Sequence, residues 1–139
     1  MLIIASIVER EAATAGDRPL VASVIYNRLA DGIPLGMDST KRYEFNDYTK
    51  PLTASQLAAP SPYNTRLNRG LPPTPISNPG LAAIQAAAHP AHTHYLYFVV
   101  KPCGNGASVF SSNYSQFLAD SARYQRARLA KGGRSPTKC

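Results

Sequence analysis

Acidic residues are scarce in this chain, cysteines scarcer still, and no long apolar run occurs. Eight Asp and Glu stand against fifteen Lys and Arg, for a formal net charge of +7. An excess of that sign draws polyanions, among them nucleic acid, anionic lipid and acidic wall polymers. Much of it gathers late in the chain, at Arg123, Arg126, Arg128, Lys131, Arg134 and Lys138, where a basic tail is expected to be solvated. Neither zinc-finger spacing nor an RNP-like aromatic strand is found, so nucleic acid is not an expected partner. Cys103 and Cys139 are the two cysteines. They lack metal-ligand spacing and leave open a disulfide, formed outside the cytoplasm, or two free thiols. Joined, they would fold the tail back over the turn that holds Cys103. The apolar opening Met1 to Val8 is too short to cross a bilayer or serve as a secretory signal. There is no G-x-S-x-G elbow, no G-x-G-x-x-G and no P-loop. Lys41, Lys50 and Lys101 sit in polar or turn contexts that do not favour a desolvated Schiff-base lysine. No cofactor is expected.

What is present suits one folded domain. The 139 residues are 44% apolar and 17% charged, enough for a core and too apolar for a disordered chain. Residues 2–13 read as a helix, with Ile4, Ile7, Val8 and Glu11 on one face. Gly16 marks its stop; Asp17 is placed to cap a second helix that carries Pro19 in its first turn and ends near Ala30, before Gly32. Residues 33–48 read as irregular, with room for a short strand. Thr53 suits the N-cap of a short helix, Ala54 to Leu57. The proline-rich stretch from Pro60 to Pro79 mixes prolines with varied polar and aromatic residues, and reads as a long ordered loop lining a site. A third long helix is expected over residues 80–88. Tyr95 to Val100 and Ser108 to Phe110 should pair as an antiparallel hairpin around the turn-forming Pro102 to Gly106. A last helix runs from about Tyr114 to Ala130. Helices packed on a small antiparallel sheet give an α+β class.

The first helix carries Glu9 and Glu11. Two positions turn a helix by about 200°, so the two carboxyls face opposite ways, and Glu11 falls on the apolar stripe. A carboxyl there either meets an arginine across the core or is desolvated, with its pKa raised as a general acid requires. His89, His92 and His94 form an H-x2-H-x-H cluster, but His89 precedes Pro90 and no acidic residue stands nearby. They read as solvated or capping residues, and no metal site is expected. Tyr63, Asn64, Tyr95 and Tyr97 offer the aromatic faces and amides that a sugar groove uses; equally, at least one of Tyr95 and Tyr97 would simply pack on its neighbours.

Several blocks together carry a family resemblance. They are Ala5-Ser6-Ile7-Val8-Glu9-Arg10-Glu11, Val21 to Leu29, Met37-Asp38-Ser39-Thr40 and Ser61-Pro62-Tyr63-Asn64-Thr65. After them come Gly70 to Ile76, Asn78-Pro79-Gly80, Ala87 to Ala91 and Tyr95 to Val99. In this order, over residues 2–118, they resemble the YceG-like family, the endolytic murein transglycosylases. The resemblance implies a catalytic domain over residues 1–130, followed by a basic tail at 131–139. It implies a lytic enzyme that cuts the β-1,4 bond between N-acetylmuramic acid and N-acetylglucosamine within peptidoglycan glycan strands, without water. The muramic acid's own 6-hydroxyl attacks, leaving a 1,6-anhydro end. The essential glutamate of the family maps to Glu11. Glu9, Asn27, Asp38, Thr40, Tyr63, Asn64 and Thr65 are implied to hold the strand or orient the acid.

The family's relatives carry a transmembrane helix and a small LysM-like domain upstream. The resemblance therefore implies anchorage at the extracytoplasmic face of the bacterial inner membrane, with a cell-wall synthesis complex as a further partner. Met1 directly opens an apolar helical pattern, and the anchor is expected before it. Four departures fall outside the Glu11 block. Gly36 stands where glutamine is frequent, Ser108 and Phe117 where histidines are common, and Lys41-Arg42 interrupts a usually apolar stretch. Two other functions bear consideration: a wall-glycan binding module without activity, and aminodeoxychorismate lyase, a label attached to some members. The second needs a cofactor lysine and a phosphate loop, and neither is found.

Overall fold

The computed structural model describes residues 1–138 and has six helices and one two-stranded sheet among them. In chain order these are α1 (Leu2–Glu11), α2 (Arg18–Ala30), α3 (Asp38–Phe45), α4 (Ala54–Ala58), α5 (Leu81–Ala88), β1 (Tyr97–Val100), β2 (Ser108–Ser111) and α6 (Tyr114–Ala130). The class is α+β, as the hydrophobic patterning implies. No helix among the described residues is long and apolar enough to cross a membrane.

Three helices make the core. α1 contributes Ile4, Ala5, Ile7 and Val8; α2 contributes Val21, Ala22, Val24 and Ile25; α5 contributes Ala83, Ala86 and Ala87. Ile7, Val8, Val24 and Ile25 are wholly enclosed, and burying side chains of this size contributes about 1.5–3 kcal/mol each. The small residues of α5 let its backbone come close to α1 and α2, and the Tyr26 hydroxyl donates to the Ala87 carbonyl at 2.7 Å across that seam. Leu35, Met37 and Ile76 close the core from the connecting segments.

β1 and β2 pair antiparallel, with Tyr97 opposite Ser111 and Phe98 opposite Phe110. Tyr95 and Leu96 precede the ladder because side chains of α2 hold them. Asn27 Nδ2 donates to the Tyr95 carbonyl at 2.9 Å and Arg28 Nε to the Leu96 carbonyl at 2.6 Å. α6 packs on the hairpin, and Asn113 caps it by accepting the Gln116 N–H at 2.7 Å. Thr53 likewise caps α4, in a reciprocal capping box with Gln56.

Three local expectations are corrected. Residues 38–45 form a helix, α3, where irregular backbone or a strand was expected. Its enclosed residues are Ser39, Thr40 and Lys41, so no apolar stripe advertises it; Asn46 ends it in the left-handed conformation, at φ 49°. Asp17 stands at the N-cap of α2 without a side-chain bond to the helix backbone; its carboxylate accepts the Ser108 N–H at 2.7 Å, tying the start of α2 to β2. The basic tail is not simply solvated. Cys103 N–H donates to Pro136 O and Asn105 N–H to Thr137 O, each at 2.8 Å, so the tail lies along the hairpin turn. The choice between a Cys103–Cys139 disulfide and two free thiols involves Cys139, which lies outside the described residues.

Candidate active site

Glu11 is the last residue of α1. Its side chain leaves the core and meets the first turn of α3, where the Ser39 N–H donates to Glu11 Oε2 at 3.3 Å. The acid remains partly exposed to two cavities. Burial nevertheless raises its pKa above the ordinary 4.5, and the negative charge of Asp38 adds to the rise. The Ser39 hydroxyl and N–H and the Arg42 guanidinium act in the opposite sense, without cancelling it. The Ser39 hydroxyl is enclosed and otherwise unpartnered.

Glu9 faces the other way, as the helical period requires. Its Oε1 accepts the Gly80 N–H at 2.7 Å, at the N-cap of α5, where a carboxylate satisfies an orphan donor and favours the helix dipole.

The larger cavity beside Glu11 encloses about 440 Å³. Val24 and Arg28 of α2 form one side, Leu35 to Asp38 and Arg66 another, and Leu96 to Phe98 with Tyr114 and Phe117 of α6 the far wall. The aromatic wall is self-supporting. Tyr97 stacks on Phe117 with ring centroids 5.1 Å apart, and Arg28 lies over the Tyr97 ring at 5.0 Å. Phe117, where the family commonly has histidine, thus makes the wall apolar. Gly36, on the floor, has φ +63° and the Arg28 guanidinium nearby. A glutamine there would be strained and would project toward that arginine.

Only some of the sequence-derived site residues meet at Glu11. Asp38 does, lining both cavities and accepting from Arg66 at 2.7 Å. Thr40, Asn64 and Thr65 are buried behind the site. The Thr40 and Thr65 hydroxyls lie 3.1 Å apart, and Thr65 Oγ1 accepts the Met37 N–H at 2.9 Å. Asn64 Nδ2 donates to the carbonyls of Leu57 and Ala59, at 3.1 and 2.8 Å. The two threonines brace the Met37–Asp38 segment that faces the acid, and Asn64 ties the end of α4 to the proline-rich segment. Asn27 lies along a separate cavity with His92 and His94, donating to the Thr93 and Tyr95 carbonyls. Tyr63 packs against Tyr43, and its hydroxyl pairs with Thr74 at 2.9 Å. Tyr97 faces the groove while Tyr95 packs on Phe110.

The proline-rich segment, read as a loop lining the site over its length, supplies Arg66 alone to the groove wall. Its later part binds α1 elsewhere, with Ile76 N–H donating to the Ser6 hydroxyl at 3.0 Å. The residues not foreseen are Arg28, Arg66, Phe98, Tyr114 and Phe117 on one side of the acid, and Arg10, Ser39, Arg42 and Tyr48 on the other. The Met37–Thr40 block was the one sequence signal that pointed to Ser39. His89, His92 and His94 are exposed, and no group of three or more His, Cys, Asp or Glu converges among the described residues.

The raised acid gives a stability test. A group whose folded pKa is raised contributes stability that is full below its unfolded pKa and is lost as pH rises through the folded value. Glu11→Gln imitates the protonated form. Its melting temperature should therefore exceed that of wild type above neutrality, with the gap closing as pH falls toward about 4. A gap that widens on acidification would contradict the assigned direction.

The family model described as the YceG-like family matches residues 1–123. Over 131 residues the chain is 40% identical to the endolytic murein transglycosylase of Bacillus subtilis (strain 168), covering 94% of this chain and 36% of that protein. It is 36% identical over 134 residues to the endolytic murein transglycosylase of Streptococcus pneumoniae serotype 2, covering 93% of this chain and 24% of that one. A crystal structure of a yceG-like protein from Listeria monocytogenes matches with a TM-score of 0.78 and 40% identity, over 84% of this chain and 38% of the other. The chain thus spans 36% and 24% of the lengths of the two curated relatives.

Proposed function

The chain belongs to the YceG-like family, and from that premise we propose that it cleaves the MurNAc-β-1,4-GlcNAc bond within peptidoglycan strands as an endolytic lytic transglycosylase. One observation carries the reading. A single carboxyl, Glu11, is held with a raised pKa at the join of two cavities, while the other carboxylate there, Asp38, is engaged by Arg66.

That asymmetry suits one-acid chemistry. Hydrolysis generally uses two carboxyls, one of which activates water or attacks the sugar. Here Glu11, protonated, gives its proton to the glycosidic oxygen as the bond to the muramic acid anomeric carbon breaks. The 6-hydroxyl of the same residue attacks that carbon, and the Glu11 carboxylate takes up its proton. The acid returns to its starting form and no water is consumed. Tethering the nucleophile replaces part of what a second carboxylate would supply. The Ser39 N–H, at the start of α3, holds Glu11 Oε2 in place while it is charged.

Asp38 is the implied substrate-binding residue nearest the reacting bond. Thr40 and Thr65 act by bracing its segment, Asn64 by tying α4 to the proline-rich segment, Glu9 by capping α5, and Asn27 and Tyr63 by fixing the hairpin entry and the proline-rich loop. Residues 1–130 form the catalytic domain. The strand-cutting role places it at the outer face of the bacterial inner membrane, anchored through a segment preceding this one and working beside wall synthesis.

Mass spectrometry of purified glycan strands after incubation tests the reaction. The expected new ends are 1,6-anhydro, lighter by one water than hydrolytic ends. Reducing ends alone would show a hydrolase, and unchanged strands a binding module.

A further inference from the structure

The second cavity beside Glu11 brings Arg10, Arg42 and Tyr48 to the acid, and the proton transfers just described give these three no role. It encloses about 360 Å³, and Arg10, Arg42 and Tyr48 line it beside Glu11, Asp38 and Ser39. Among the described residues its cations enter no close ion pair with a carboxylate. The ion pairs among the described residues are Lys41–Glu44, Arg66–Asp38 and Arg123–Asp120, and neither Arg10 nor Arg42 enters one. Both are nevertheless held in position. Arg42 Nη1 donates to the carbonyls of Asp47 at 3.2 Å and Lys50 at 2.9 Å. The Arg10 guanidinium lies 4.7 Å from the Tyr48 ring centroid. A guanidinium oriented in this way keeps its remaining N–H groups ready for an incoming carboxylate, and little rotamer freedom is left to lose.

The larger cavity differs in kind. There Arg66 is neutralised by Asp38, and Arg28 is half-buried and donates to the Leu96, Pro34 and Leu35 carbonyls. Its far wall is aromatic, suited to a pyranose face. An uncharged glycan would be served by that lobe alone. Two unpaired, preoriented arginines on the opposite side of the same acid call for an anion.

We propose that the Arg10–Arg42–Tyr48 cavity is a carboxylate-binding subsite for the acidic substituent on the muramic acid beside the scissile bond. The inference builds on the murein-cleaving reading above. The carboxylate has two sources, the lactyl group itself or the peptide attached through it. Either one gives the strand a direction in the groove, because only muramic acid bears the substituent.

Calorimetric binding to the chain carrying Glu11→Gln separates these sources. The three ligands are murein strands with stem peptides, strands whose stems an amidase has removed to leave lactyl carboxylates, and chitin oligomers with neither. Adding Arg42→Gln should weaken the carboxylate-bearing ligands about tenfold, the size of a lost charge-assisted hydrogen bond, and leave chitin oligomers within about twofold. A loss confined to amidase-treated strands assigns the lactyl carboxylate, which is an amide wherever a stem is attached; a loss confined to stem-bearing strands assigns the peptide; a loss in both shows that the subsite takes a carboxylate of either source. Arg10→Gln, at an exposed side chain, gives the same pattern without disturbing the loop that Arg42 ties. Chitin oligomers weakened as much as murein, or murein binding undetectable or unchanged in both variants, would overturn the subsite. Product analysis of the wild-type chain keeps the two readings apart. Arginine-dependent murein binding without anhydro ends would sink the reaction alone, and anhydro ends with arginine-independent binding would sink the subsite alone.

Discussion

Glu11→Gln should lower the rate of anhydro-muropeptide formation by about 10²–10⁴-fold, the contribution of a positioned general acid. The amide keeps the shape of the side chain but carries no proton to give the leaving oxygen, so binding of intact strands should change little. The same acid sets a pH limit. In the proposed reaction Glu11 starts protonated, and burial extends its protonated range above the ordinary 4.5; kcat/KM should therefore fall as pH rises through the raised value. Glu9→Gln is the matched control, two positions along the same helix. It removes a carboxylate from the α5 N-cap, at a cost of about 1 kcal/mol in stability, and should leave turnover within a few-fold of wild type. Equal damage from both variants, or greater damage from Glu9→Gln, would mean that the acid is misassigned.

Lys41→Ala should destabilise the protein by about 3 kcal/mol in urea or thermal denaturation, the low end for breaking a buried ion pair. The Lys41 ammonium is 1% exposed and sits 2.6 Å from Glu44 Oε2, and Glu44 is 22% exposed. The ammonium also donates to the Ala59 carbonyl at 3.0 Å and lies over the Phe45 ring, while Ser61 donates to the same Glu44 oxygen at 2.8 Å. Alanine would leave that carboxylate without its cation. The Ala59 carbonyl would keep its bond from Asn64, which holds the loss below the upper limit. Lys41→Met with Glu44→Leu, replacing the pair by apolar groups of similar size, should recover most of it. The pair also has a pH signature. Burial tends to raise the Glu44 pKa, but the Lys41 and Ser61 hydrogen bonds and the Lys41 charge outweigh it and lower it below 4.5. Its contribution is thus present above the unfolded value and lost as pH falls through the folded one. A Lys41→Ala chain as stable as wild type at neutral pH would show that α3 is held by other means.

The usefulness of the sequence depended on how local each signal was. Apolar residues at the helical period marked α1 and α2, and the same period separated Glu9 from Glu11, one turned to α5 and the other to α3. Thr53, read as a cap, acts as one through a bond to the residue three positions on. Pro102 to Gly106 marked the hairpin turn because proline and glycine disfavour continued pairing. Where the buried side of an element is polar, the signal failed. α3 encloses Ser39, Thr40 and Lys41, each satisfied or enclosed by residues far along the chain, and its period is invisible to an apolar count.

By itself, then, the sequence determined the α+β class and the family, and set Glu11 apart from Glu9 as the carboxyl on the apolar face, since these follow from chain-local periodicity and from blocks in a set order. Only the tertiary structure decided what surrounds Glu11. Its walls come from α2, Met37–Asp38, Arg66, the hairpin and α6, stretches up to about a hundred residues away that no spacing rule connects. Only the fold could turn Asn64 and Thr65 inward as braces, carry the proline-rich loop past the groove to Ser6, and leave Arg10 and Arg42 unpaired beside the acid. A side chain's role there depends on which distant carbonyl, ring or carboxylate packing brings within about 3 Å of it, and that distance is a property of the folded chain.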